Sequence, residues 1–424
     1  MARPEKQKRF FLVIGFILAT TLLGYLLYRV FFSGALVNKE PETLVPGEIA
    51  TGTLPSAGES ESQTGTSTTG NLPDSEDNLS VTPWRPGDTL PPDPNEPSAQ
   101  ALGGVTKVNL IVNDPTIGLT KSSSGIQYYN ADDGYFYRLG ADGKTEKISD
   151  EIFYSVQDVT WAPDGKKAVL EYPDNSKILY NFEKEKQVSF PAHWEEFSFS
   201  PQSDQIITKS IGLDPGNRFL TVAADDGSQV YNLEEIGTNA DKVQPGWSPN
   251  NQIVATYARG LDFDRQEVFF VGLHGENFKS TIVEGRGLNY TWSQTGDRLL
   301  YSVYNSKSDL KPLLWIVEAQ GDRISEGRQS LGLNTWADKC TFATNTEIYC
   351  AVPTELEEGS GIFRAVAANS HDEIYKINLQ NGTRTLIAIP DGKYNINQVV
   401  VDDNQNQLTF SDSRTGNIYQ INLK

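Results

Sequence analysis

Histidine, cysteine and methionine are scarce in this chain: three, two and one among 424 residues. His193, His274, His371, Cys340 and Cys350 are too few and too scattered for a zinc site, which needs clustered nitrogen and sulfur ligands. Only a metal site built of carboxylates stays open, and no residue pattern asks for an organic cofactor. Basic charge is short too, with 36 Lys and Arg against 55 Asp and Glu and a net charge of -19. Phosphate neutralisation needs clustered Lys and Arg, so neither nucleic acid nor anionic lipid is the expected principal partner. Familiar catalytic signatures are missing as well. No Gly-x-Ser-x-Gly elbow occurs, and Ser360 stands in Glu358-Gly359-Ser360-Gly361, which lacks that spacing. No glycine-rich phosphate loop leads into a helix, and no His-Glu-x-x-His is present.

The one long apolar run lies at the start. Residues 1–9 carry Arg3, Lys6, Lys8 and Arg9 against Glu5, and residues 10–28 follow without a charge. About 19 residues at about 1.5 Å each nearly cross a hydrocarbon core of about 30 Å, and Val30 to Phe32 complete a transmembrane helix over 10–32 if Arg29 snorkels. The basic tail then stays in the cytoplasm and everything after the span lies outside it. A cleaved signal peptide is the rival reading, since Ser33-Gly34-Ala35 loosely resembles a cleavage site, but its apolar region would run to only about 7–15 residues. Residues 33–104 shift to Pro, Ser, Thr, Gly and acids, as in Pro91-Pro92-Asp93-Pro94. Such composition cannot fill a core, so a disordered linker is expected there, with a reach of roughly 45 Å.

From residue 105 to 424 short apolar runs alternate with turn residues, and the 38% hydrophobic content of the chain is enough for a substantial core. A strand followed by a tight turn recurs at periods of roughly 40 to 60 residues, a spacing typical of propellers and solenoids. The clearest copies are Tyr135-Phe136-Tyr137-Arg138-Leu139 before Asp142-Gly143, Phe219-Leu220-Thr221-Val222 before Asp226-Gly227, Val268-Phe269-Phe270-Val271 before His274-Gly275, and Ile374-Tyr375-Lys376-Ile377 before Asn381-Gly382. Asp-Gly and Asn-Gly supply the positive φ angles that a two-residue hairpin demands. With weaker copies at Ile178-Leu179-Tyr180 and Leu313-Leu314-Trp315-Ile316, and a last one at Ile418-Tyr419-Gln420-Ile421, seven four-stranded blades are expected, an all-β seven-bladed propeller. The segment 105–112 alternates but has no blade of its own, and the C-terminus stops one strand short, so 105–112 is expected to be the outermost strand of the last blade.

A second motif precedes four of these seven strands. Trp161-Ala162-Pro163-Asp164-Gly165, Phe199-Ser200-Pro201-Gln202, Trp247-Ser248-Pro249-Asn250 and Trp292-Ser293-Gln294-Thr295-Gly296 resemble the Trp-Ser-Pro-Asp-Gly turn of TolB-type, WD-repeat-like propellers, which also form the non-catalytic part of prolyl-oligopeptidase-type enzymes. The resemblance covers about residues 115–424 and implies a fold and a bacterial cell envelope, not a ligand. The motif is lost at Ser122-Ser123-Ser124, Ala343-Thr344-Asn345 and Asp402-Asp403-Asn404, which leaves six and eight blades open. No α/β-hydrolase domain accompanies the repeats, so peptidase activity is not expected.

Propeller topology sorts the remaining candidates by face. The turns after the first and third strands of each blade are mostly tight, whereas the connections on the opposite face are long, with 257–266, 304–312 and 353–372 the longest. Long loops are more often functional than idle. On that face the expected binding residues are Trp194, Arg259, Asp262, Asp264, Tyr290, Trp336 and Tyr394, where aromatic rings beside polar groups suit an envelope protein, peptide or glycan. The acids, Asp262 with Asp264 and Glu355 with Glu357 and Glu358, read as solvated loop charge. Two of them held at a fixed separation would instead suit a glycan hydrolase or lyase. Cys340 and Cys350 sit symmetrically about Asn345 on one expected hairpin. They face each other if the turn is centred there, and remain two buried free thiols if a two-residue turn shifts the register.

Overall fold

The computed structural model describes residues 96–424, apart from 123–124 and 141–142, together with Thr20–Leu22 and Tyr25, which are helical. Among the described residues no helix is long and apolar enough to cross a membrane. The rest of the span expected over 10–32, and the linker up to residue 95, lie outside the described residues.

Seven antiparallel sheets follow one another from Thr116 to Asn422, so the blade count read from the repeats is seven. In each blade, strands A to D run from the inside outwards. The A strands contact one another, while D strands such as Thr145–Lys147 and Tyr231–Glu235 are largely exposed. The third strand of every blade is one of the seven sequence copies, from Phe136–Leu139 in blade one to Ile418–Asn422 in blade seven. Gly143, Gly227, Gly275 and Gly382 in the turns after four of them all have φ between 70° and 76°, the left-handed region that glycine enters without a Cβ clash.

The other motif works by hydrogen bonding. Ser200, Ser248 and Ser293 are all but completely buried in the turn between strands A and B, and each hydroxyl accepts the backbone N–H that opens strand B, from Gln205, Ile253 and Arg298. The tryptophans tie blades together: Trp161 donates its indole N–H to the Gly118 carbonyl at 2.7 Å, and Trp292 to Gly246 at 3.2 Å, each in the preceding blade. Trp247 instead donates to Asn251 in its own turn.

Closure differs in detail from the expected single strand. Asn109–Val112 is the outermost strand of blade seven, paired antiparallel with Ile418–Asn422. Val105–Thr106 instead runs parallel to the outer strand of blade six, opposite Ile389 and Pro390, which gives that blade five strands. The chain breaks between the two because the Val108 N–H turns to the Asp391 carboxylate. Ordered structure also begins before residue 105: Ala101 N–H reaches the Asn422 carbonyl and Gly103 N–H that of Ile387, so the last residues of the expected linker lie on blades six and seven.

Cys340 and Cys350 pair directly on strands A and B of blade six and are joined by a disulfide. The turn between them is the two-residue kind, Asn345 and Thr346. A bulge at Ala343 restores the register that such a turn would otherwise shift.

Candidate functional site

The connections between strands B and C of blades four, five and six, residues 261–265, 305–312 and 354–371, stand side by side on the long-loop face and are bonded in series. The Asp264 carboxylate accepts from the N–H and hydroxyl of Ser306, at 2.7 and 2.5 Å, and these bonds hold its pKa below the usual carboxylate range. Gly359 N–H then donates to Asp309 and Gly361 N–H to Leu310. A cleft of about 870 Å³ opens between the first two loops, lined by Asp262, Phe263, Lys307, Asp309, Trp315 and Asn334 among others.

The third loop is anchored from beneath. Arg364 pairs with Asp338 and lies over the Trp336 ring at 4.7 Å. Asn395 donates its amide to the Ala367 carbonyl at 2.8 Å. Below them Lys339 and Asp372 form a fully enclosed ion pair at 2.7 Å. Burial pushes the lysine down and the acid up, towards neutrality, and their mutual attraction opposes both shifts. With its underside fixed in this way, the loop turns Ile362, Phe363 and Val366 to solvent.

A second cluster lies where strands A of blades two and three begin. Asp158 and Glu171 are direct cross-strand neighbours, and Glu195 and Glu196 lie across from them in blade three. Burial, followed by the Asp158, Glu195 and Glu196 charges, raises the Glu171 pKa, while Lys177 lowers it. Glu196 adopts φ 54° in a bulge where the matching residues of blades one and five are Gly118 and Gly287, both at φ 66°. Lys209, almost fully buried, holds its carboxylate at 2.5 Å. Among the described residues no group of three or more His, Cys, Asp or Glu could hold a metal.

The residues expected to bind divide sharply. Trp194 and Trp336 are 4% and 7% exposed: the first stacks on Phe190 of the outer strand of blade two and the second lies under Arg364, so neither ring faces a partner. Tyr290 lies within strand A of blade five, half-buried over the start of blade four, and burial pushes its hydroxyl up to about 12. Tyr394 packs on Phe410 and Tyr419. Arg259 is exposed but paired with Glu267. Asp262 and Asp264 do lie on the long-loop rim; Asp262 is tied to Arg265, whose hydrogen bond holds its pKa down. Sequence reasoning put the aromatics near the start of strand A on the surface, whereas, Tyr154 and Ile152 before blade two apart, the exposed apolar residues of this face are in the loops after strand B. The readable signal was Leu261-Asp262-Phe263-Asp264 and Ile362-Phe363, large apolar side chains inside otherwise polar loops. Ser360 is fully buried, which agrees with its lack of a nucleophile setting.

No family model and no curated protein sequence matches the chain. Solved structures do. A structure from a study of two prolyl endopeptidases overlays with a TM-score of 0.50 at 13% identity, over 74% of this chain and 49% of that one. TolB from Acinetobacter baumannii gives 0.42 at 14% over 63% of each chain, and an oligogalacturonate lyase in complex with manganese gives 0.48 at 11% over 75% and 93%. The chain thus spans about half of the prolyl endopeptidase and under two thirds of TolB. At such identities the likeness is one of fold.

Proposed function

We propose that the chain is a protein-binding module of a cell envelope, a seven-bladed propeller held outside the cytoplasm by an anchor over residues 10–32, which docks its partner on the long-loop face. The observation that carries this reading is the distribution of exposed apolar side chains. Ile152 and Tyr154 before blade two, Leu213 in blade three, Leu261 and Phe263 in blade four, and Ile362, Phe363 and Val366 in blade six all lie in connections of that face. In the described turns of the opposite face only Val230 is comparable. Apolar side chains gathered on one face and rimmed by polar loops are what a protein interface requires. Phe263 and Phe363 can be altered without disturbing a core, being 65% and 68% exposed. The purified full chain should capture a specific partner from envelope extract, and Phe263→Asp with Phe363→Asp should abolish that capture while Val230→Asp does not. Equal capture by all three proteins would remove the face from consideration.

A glycan hydrolase or lyase is the second reading. One observation favours it: Glu171 is half-buried with Asp158, Glu195 and Glu196 near it, and burial followed by those charges raises its pKa as a proton donor needs. Cleavage of an envelope glycan that is lost in Glu171→Gln would support it over the binding reading; partner capture that survives the same substitution would favour docking on the loops.

A further inference from the structure

Blade four differs from its neighbours in how little its outer strand covers. Strand D, Thr281–Val283, pairs only with Gln266, Glu267 and Val268, the first three residues of strand C. The connection 273–280 forms no strand, although its Glu276 and Phe278 side chains come close to Gly272, so the outer backbone edge of residues 269–272 has no strand paired beside it. That edge opens on a groove of about 640 Å³ between blades three and four. Leu233, Tyr257, Phe269 and Val271 give it a half-buried apolar floor, with Tyr257 stacked on Phe269 at 5.7 Å.

The rim of the groove is acidic. Glu234 and Glu235 are exposed on strand D of blade three, and Glu276 is exposed beside the open edge. The one basic side chain of the lining, Arg259, is already engaged by Glu267 at 2.5 Å and lies over the Phe269 ring. An open strand edge selects an extended chain, the floor selects apolar side chains on one face of it, and the rim selects basic ones. The molecule already uses added strands, since Asn109–Val112 and Val105–Thr106 complete blades seven and six from far away in sequence.

We propose that this groove takes an extended peptide segment with alternating apolar and basic side chains, which adds itself to the open edge of blade four. Backbone pairing along residues 269–272 sets its register, its apolar side chains settle on Tyr257 and Phe269, and its Lys or Arg side chains meet Glu234, Glu235 and Glu276. The chain's own residues 33–95 have the wrong charge for this, because Lys39 and Arg85 are outnumbered by acids such as Glu40, Glu42, Glu48, Asp74, Glu76 and Asp77. The groove is separate from the three bonded loops, so this proposal stands or falls apart from the docking face.

The test is fluorescence anisotropy of the purified full chain with a labelled peptide alternating Val and Lys. Saturable binding is expected, weakened roughly tenfold by Glu234→Lys with Glu235→Lys and unchanged by the matched reversal Glu355→Lys with Glu357→Lys in blade six. Of two N-methylated versions of the peptide, one for each backbone edge, the one blocked on its pairing edge should lose binding although its charge is intact. The proposal is overturned if both N-methylated peptides bind like the parent or the blade-six reversal weakens binding equally. It is also overturned if a peptide alternating Val and Glu binds as well, if no saturable binding is found, or if the chain proves to be a dimer that the peptide disperses.

Discussion

Lys339 is held in place by a single carboxylate. Its side chain is 2% exposed and that of Asp372 is 0%, and Asp372 also accepts the Ile396 N–H at 2.6 Å, so one acid serves strand C of blade six and strand A of blade seven. Removing one member of an enclosed pair strands the other charge. Lys339→Met is therefore expected to cost about 3–5 kcal/mol of stability. Lys339→Met with Asp372→Leu should recover only part of that, because the Ile396 N–H is left without an acceptor. Chemical unfolding of both single variants and the double measures the coupling, and strictly additive costs would contradict it. Nothing in the sequence marks either residue, since Ala337-Asp338-Lys339 and His371-Asp372-Glu373 read as solvated charge. The cysteines were half legible: their equal spacing about Asn345 raised the pairing, but the turn is the two-residue kind and the bulge at Ala343 that restores their register is not marked in the sequence. Their bond should show as an absence of titratable thiol in unreduced, denatured protein, and Cys340→Ser with Cys350→Ser should cost about 2–3 kcal/mol, the loop between them being short.

The seam between blades six and seven lies beside the strand pairing that closes the ring in blade seven, and acid should loosen it. The Glu347 carboxylate takes Lys376 at 2.8 Å and the Gln405 amide at 3.0 Å, and these bonds hold its pKa below the ordinary value. A lowered folded value means that the contribution is whole above the unfolded pKa of about 4.3 and is lost as the pH falls through the lowered one. Glu347→Gln is expected to cost about 0.5–1 kcal/mol near neutral pH and close to nothing near about pH 3; a cost independent of pH would contradict the pairing. Deleting residues 109–112 should lower the Tm by several degrees, because it exposes the outer edge of Ile418–Asn422, and an unchanged melt would argue against closure. These elements were legible where local chemistry dictates them: glycine at positive φ marks the turns after the third strands, and buried serine marks the turns before the second. The split of 105–112 between two blades was not legible, since it goes with one bond from Val108 to Asp391, 283 residues away in sequence. The docking face was half legible. Loop length pointed to the face on which most exposed apolar loop residues lie, but exposure could not be told from aromatic content, and Trp194 and Trp336 turned inwards where Phe263 and Phe363 turned outwards.

As a ring, the molecule keeps the tight turns and the long connections on opposite faces, and nearly all the exposed apolar side chains of its described connections are on the second. A net charge of -19 adds a field that favours partners with basic surfaces and sets the encounter rate more than the final affinity. If the anchor over residues 10–32 is as read from its length and basic flank, protease added to spheroplasts should remove the propeller and spare the N-terminus, and a protected propeller would reverse that topology. The docking face itself is tested most directly by photo-crosslinking in the full chain, with the same photoreactive amino acid placed in turn at Leu213, Phe263, Phe363 and Val230. Discrete crosslinked products from Leu213, Phe263 and Phe363, with none from Val230, are the expected result. Products from Val230 alone would place the partner on the opposite face and contradict the account.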